Sequence, residues 1–101
     1  MANDCARQNE LDKIIETLVK ESEPLLNRDR YEAVLHYSKT GEFEMAFEGL
    51  ILELISVKKY PKNFNFMEFM KLAKECELDT NPSLDGFFWD SFTTWGSKYM
   101  G

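Results

Sequence analysis

An all-α bundle of four or five helices is the fold this sequence predicts, and three observations predict it. Apolar residues recur at i, i+3, i+4 and i+7 in several separate stretches, which gathers them on one helix face. Helix-starting and helix-stopping residues bound those stretches, with Asn or Pro before and Gly or Pro after. Alternation of strand length is missing: Val57 and the segment 64–66 are the best strand candidates, and both are short and flanked by helix signals. With 101 residues, 44% hydrophobic and 30% charged, the chain suits one domain spanning residues 1–101. That length can bury a core without help from a metal or disulfide.

The first helix carries Leu11, Ile14, Ile15, Leu18 and Val19 on one stripe. Asn9 is its expected N-cap, with Glu10 and Asp12 in the first turn where the helix dipole favours acids. Pro24 sets its end near Ser22, and Pro24-Leu25-Leu26 reads either as a helical first turn or as a packed linker. A second helix is expected from Asn27 to Lys39, burying Tyr31, Val34, Leu35 and Ser38, and Gly41 ends it in a left-handed conformation. The short turn makes the next helix its antiparallel neighbour.

The third helix has the clearest pattern, with Phe43, Ala46, Phe47, Leu50, Ile51, Leu54 and Ile55 on a wide apolar face. Lys58 and Lys59 favour its C-terminal dipole and Pro61 closes it. The fourth begins with an Asn65 cap, Glu68 three positions on, and Phe64 stapling onto Phe69. Phe66, Phe69, Met70 and Ala73 form its expected buried stripe, with Leu72 on the flank. Residues 79–82 break the chain, and Asn81 with Pro82 should start a fifth helix that carries Leu84, Phe87, Phe88 and Phe92 and stops before Gly96.

Charge is unevenly spread. Eighteen acids against 12 bases give a net charge of −6. Residues 1–57 hold 12 acids and 6 bases, residues 58–74 hold five lysines against Glu68, and residues 75–101 hold five acids against Lys98. Such a surface repels phosphate backbones and anionic lipid, so neither direct nucleic-acid binding nor membrane binding is expected, and a basic partner is favoured. The apolar run Leu50-Ile51-Leu52 meets Glu53 at once, far short of the ~20 residues a spanning helix needs. Asp4, Arg7 and Glu10 interrupt any secretion signal, and Cys5 and Cys76 lack metal-binding spacing, so free thiols in the cytoplasm are expected.

Chemistry is sparse. His36 is the single histidine and reads as a partly exposed side chain between Leu35 and Tyr37. The glycines at 41, 49, 86, 96 and 101 are scattered and form no phosphate-binding loop. Carboxylates are too many for any pair to be singled out as an acid and base. The chain is therefore expected not to be an enzyme, and to need no cofactor or metal.

Two features point to protein binding instead. Glu44 and Glu48 are like-charged i, i+4 neighbours, an arrangement that costs a helix roughly 0.2–0.5 kcal/mol and is tolerable where a cation visits. The segment 87–95 holds five large aromatics, more than one helix face can hide. If Phe88, Phe92 and Trp95 turn inward, Trp89 reaches the boundary beside Asp85 and Asp90, like an interface anchor with a polar rim. Glu44, Glu48, Asp85, Trp89 and Asp90 are the expected partner contacts.

The stretch from Tyr31 through Asp79, above all Gly41-Glu42-Phe43-Glu44-Met45-Ala46-Phe47-Glu48-Gly49-Leu50, resembles small α-helical immunity proteins of bacterial polymorphic-toxin systems. These include the contact-dependent growth-inhibition and MafI-type proteins. The shared pattern is a helix, a short Gly-containing turn, an acidic helix running into a long apolar stretch, and a later helix ending near Leu78-Asp79. The aromatic tail lies outside it. The resemblance implies a cytoplasmic antidote that binds one cognate toxin domain, a nuclease being the expected kind, and blocks its active site or substrate groove. Acids can mimic the phosphates a basic nuclease holds, and opposite charges can steer association beyond ~10⁸ M⁻¹s⁻¹. The alternative expectation is a helical adaptor or regulatory module that binds a segment of a host protein.

Overall fold

The computed structural model contains α1 (Ala2–Glu21), a 3₁₀ turn (Glu23–Leu25), α2 (Arg28–Lys39), α3 (Phe43–Val57), α4 (Phe66–Glu75) and α5 (Phe88–Met100). It describes residues 2–62 and 64–100, with side chains from 10 to 62 and 64 to 99, and no strand occurs among them. The fold is all-α.

Helix α3 is the axis because its sequence is apolar on most of its circumference. Phe47, Leu50, Ile51 and Leu54 have no exposed surface, and α1, α2 and α5 all pack on them. Each such side chain contributes about 1.5–3 kcal/mol by leaving water. Ile15 and Val19 of α1, Val34 of α2, and Phe88 and Phe92 of α5 complete one continuous core. The radius of gyration, 12.8 Å, is that of a single packed unit of this length, about 13 Å.

Local chemistry explains most boundaries. Asn27 and Asn65 cap α2 and α4, accepting from the N–H groups of Arg30 at 3.0 Å and Glu68 at 3.2 Å. Phe64 packs edge-on against Phe69 at 4.8 Å, the expected staple. Gly41 takes φ +83° after α2, which suits a residue without Cβ. The same left-handed closure ends α3 at Lys58 (φ +58°) and follows α4 at Glu77 (φ +61°), where any side chain costs roughly 1 kcal/mol. Across the helices, the Arg30 guanidinium donates to Glu53 at 2.8 Å.

Several expectations are corrected. Helix α1 starts at Ala2, so Asn9 lies inside it instead of capping it; the side chains of Cys5 and Asn9 are outside the described set. Ile14 is 39% exposed despite its place in the apolar stripe, and Leu72, expected at the flank, is buried. The fifth helix neither starts at Pro82 nor stops before Gly96. It begins at Phe88 and passes through Gly96, which is buried where the Phe66 ring crosses α5. Leu84 and Phe87, expected in its core stripe, are exposed instead, because residues 81–87 form an irregular linker.

Candidate functional site

The linker between α4 and α5 is irregular because three of its backbone donors are taken by one side chain. Glu48, halfway along α3, has no exposed surface. Its Oε1 accepts from the Ser83 N–H at 2.8 Å, and its Oε2 accepts from Leu84 and Asp85, both at 2.8 Å. Three consecutive amides thus converge on one carboxylate, the arrangement by which turns bind anions. Amides aimed at Glu48 hold residues 83–85 against α3, so the helix begins later. Glu48 is therefore no partner contact: the expectation that it offers a charge to a partner fails because the linker covers it.

Held this way, the linker leaves Phe87 in water and lays a partly exposed Leu84 along α3. Phe87 is 75% exposed and Leu84 is 39% exposed. Leu84 also reaches Gly49, its Cδ1 lying 3.6 Å from where a Cβ would sit, so the linker rests on α3 closely. Asp85 is half-buried and partly engaged: its Oδ1 accepts from the Phe87 N–H at 2.9 Å and its carbonyl from Phe88 at 3.0 Å, which starts α5. Asp90 is exposed in the first turn of α5. Trp89 is half-buried and leans on Phe92, ring centres 5.6 Å apart, so it belongs to the wall of the core more than to an outward anchor.

Glu44 remains on the surface. Together with Glu42 and Ser83 it lines a shallow recess of about 260 Å³ between the start of α3 and the linker. Its field reaches inward as well. The Cys76 thiol, buried at the end of α4, is pushed up to about 12, first by desolvation and then by Glu44, Glu75 and Asp12.

That elevated thiol has a measurable consequence. A thiol favoured in its protonated form by folding gives its full stability below the ordinary value of 9.0 and loses it as pH rises toward 12. Wild-type stability should fall between these limits by about 1.4 kcal/mol per pH unit more than that of Cys76→Ala. In a Cys5→Ser chain at pH 8, alkylation of native Cys76 by iodoacetamide should be at least about a thousandfold slower than in denaturant. A native rate close to the unfolded one would show an accessible thiol.

Of the partner contacts expected from the sequence, Glu44 and Asp90 are exposed, Asp85 and Trp89 are half-buried, and Glu48 is enclosed. Helical periodicity assigns Phe87 and Leu84 to the core. Their one sequence signal as surface residues is the aromatic excess of 87–95, which exceeds what α5 can bury. No three His, Cys, Asp or Glu side chains among the described residues are grouped to hold a metal ion, and no described helix is long and apolar enough to cross a membrane. Compared with protein-family models, curated proteins and solved structures, the chain matches none of them.

Proposed function

We propose that this chain is a cytoplasmic immunity protein that neutralises a cognate toxin domain by stoichiometric binding, without catalysis. The observation that carries the reading is Phe87, three-quarters exposed on a linker that Glu48 pins to α3. A large aromatic on a backbone already fixed by hydrogen bonds has only its two side-chain torsions to order on binding, which favours an interface hot spot. Asp85 and Asp90 flank it in sequence, and Glu44 lies beside the same linker. An aromatic anchor in an acidic rim suits a basic partner, and a nuclease domain that holds phosphates has such a groove. Asp85, largely committed to starting α5, serves mainly to position Phe87. Glu44 and Asp90 supply the steering charge.

The test is co-expression with the toxin domain encoded beside this gene. Expected are restored growth, a one-to-one complex on purification, and about 30-fold weaker binding for Phe87→Ala, the size of a hot-spot loss near 2 kcal/mol. Glu44→Lys should slow association at low salt more than it speeds dissociation. A folded chain that neither binds nor protects would overturn the proposal. Full affinity in Phe87→Ala would move the interface elsewhere.

A further inference from the structure

We infer that the groove between the end of α3 and the outer face of α5 binds a small organic anion, a carboxylate or phosphate monoester carried on an apolar body. The groove encloses about 600 Å³, within the range of small-ligand sites, and lies apart from the linker carboxylate Glu48. One wall is Ile55 with Lys58 and Tyr60; the other is the α5 face that presents Ser91, Trp95 and Lys98.

Its walls are rigid. Tyr60 stacks on Trp95 with ring centres 4.7 Å apart and planes 10° from parallel, and its hydroxyl donates to the Trp95 carbonyl at 2.6 Å. That bond occupies the Tyr60 hydroxyl and fixes the loop after α3 against α5. Trp95 is only 6% exposed, and its Nε1–H has no acceptor. That N–H is closed off from water, so what the groove meets of Trp95 is its ring, and the indole signal reports on the wall without touching the ligand.

Charge selects the ligand. In a chain of net charge −6, this groove gathers Lys58 and Lys98, and neither forms an ion pair among the described residues. Lys58 sits at φ +58°, where glycine would be easier, yet its side chain lines the groove. The C-terminal ends of α3 and α5 bring about half a negative charge each, which two full positive charges outweigh. Asp90 lines the same groove and offsets part of this charge, least at Lys98. It lies eight positions before Lys98, roughly 12 Å along the helix, beyond the ~10 Å screening length at 0.1 M salt. The anionic group therefore belongs at the Lys98 end of the α5 wall, away from Asp90, with Lys58 across the groove and the apolar body along Ile55 and Trp95.

The experiment is an NMR titration of the full chain with phenylacetate, phenyl phosphate and neutral 2-phenylethanol, with the Trp95 indole signal assigned through Trp89→Phe. Both anions should produce saturable shifts of the Trp95 indole N–H and of the amides of residues 91, 94 and 98. 2-Phenylethanol should bind at least about tenfold more weakly, and the tighter anion identifies carboxylate or phosphate as the preferred group. The double variant Lys58→Gly/Lys98→Ala should lose about tenfold in anion affinity while 2-phenylethanol binding is unchanged. Glycine at 58 relieves the left-handed strain, so this variant keeps the fold. Absent saturation, shifts spread over all the lysines, equal affinity for the neutral probe, or an unaffected double variant would each overturn the inference.

Discussion

Replacing Glu48 with glutamine should destabilise the fold by about 3–5 kcal/mol, a fall in Tm of more than about 12 °C for a domain of this size. The carboxylate accepts three backbone hydrogen bonds at 2.8 Å inside the protein. Hydrogen bonds to a charged group contribute about 1.5–3 kcal/mol each, and the three amides share one acceptor, so the contributions do not add fully. Glutamine keeps one oxygen and turns an NH₂ group toward donors, which replaces attraction with repulsion. Glu48→Ala should cost as much, because it leaves three amides without an acceptor until the linker opens to water. Urea unfolding measures the loss, and hydrogen exchange should show the amides of 83–85 losing protection first. A change below about 1 kcal/mol in both variants would mean that the linker docks through Leu84 and Phe88 instead. Because the same carboxylate positions Phe87, Glu48→Gln should also weaken the proposed partner binding, although Glu48 touches no partner.

The second large effect is expected at Gly96. A Cβ there would stand 2.2 Å from both Cδ1 and Cε1 of Phe66 and 3.0 Å from its Cγ, against the 3.5–4.0 Å of ordinary carbon contact. The ring is not free to swing without loss. It packs edge-on to Phe92 at 5.5 Å and near Phe64 at 6.3 Å. Alanine is about 1 kcal/mol better than glycine inside a helix, but overpacking a core costs roughly 1–3 kcal/mol and occasionally more. With two ring atoms in collision the steric effect should win, leaving Gly96→Ala about 2 kcal/mol less stable. Phe66→Leu in the same chain removes the ring and should recover much of that loss, which a double-mutant cycle reads directly. A Gly96→Ala chain as stable as the parent would mean that the ring rotates toward solvent at no cost.

These two residues show where the sequence was legible and where it was not. The caps at Asn27 and Asn65, the Phe64–Phe69 staple and the left-handed Gly41 act between residues a few positions apart, so their chemistry stands in the local sequence. The inward turn of Phe88, Phe92 and Trp95 follows from helical spacing in the same way. Glu48 does not. It lies roughly 120° from the centre of the apolar arc of α3, where periodicity assigns a carboxylate to water. What buries it is a set of donors 35 to 37 positions further along the chain. The displaced start of α5 and the exposure of Phe87 follow from the same contact, so one long-range interaction accounts for all three departures.

The groove was hidden for a related reason. In the sequence Lys58 is an ordinary partner for the C-terminus of α3, and Lys98 lies beyond the expected end of the fifth helix as one base among five acids. Only the packing of α3 against α5 sets both on one recess beside Trp95. The helical class, most of the core, the asymmetric charge and most helix ends are legible along the chain, because periodicity, capping and the dipole act within a few turns. Tertiary structure alone decided which acid is buried, where the last helix begins, which aromatic faces water and which lysines share a groove. Each of those depends on backbone donors or side chains brought together from distant parts of the chain, and no local pattern records that meeting.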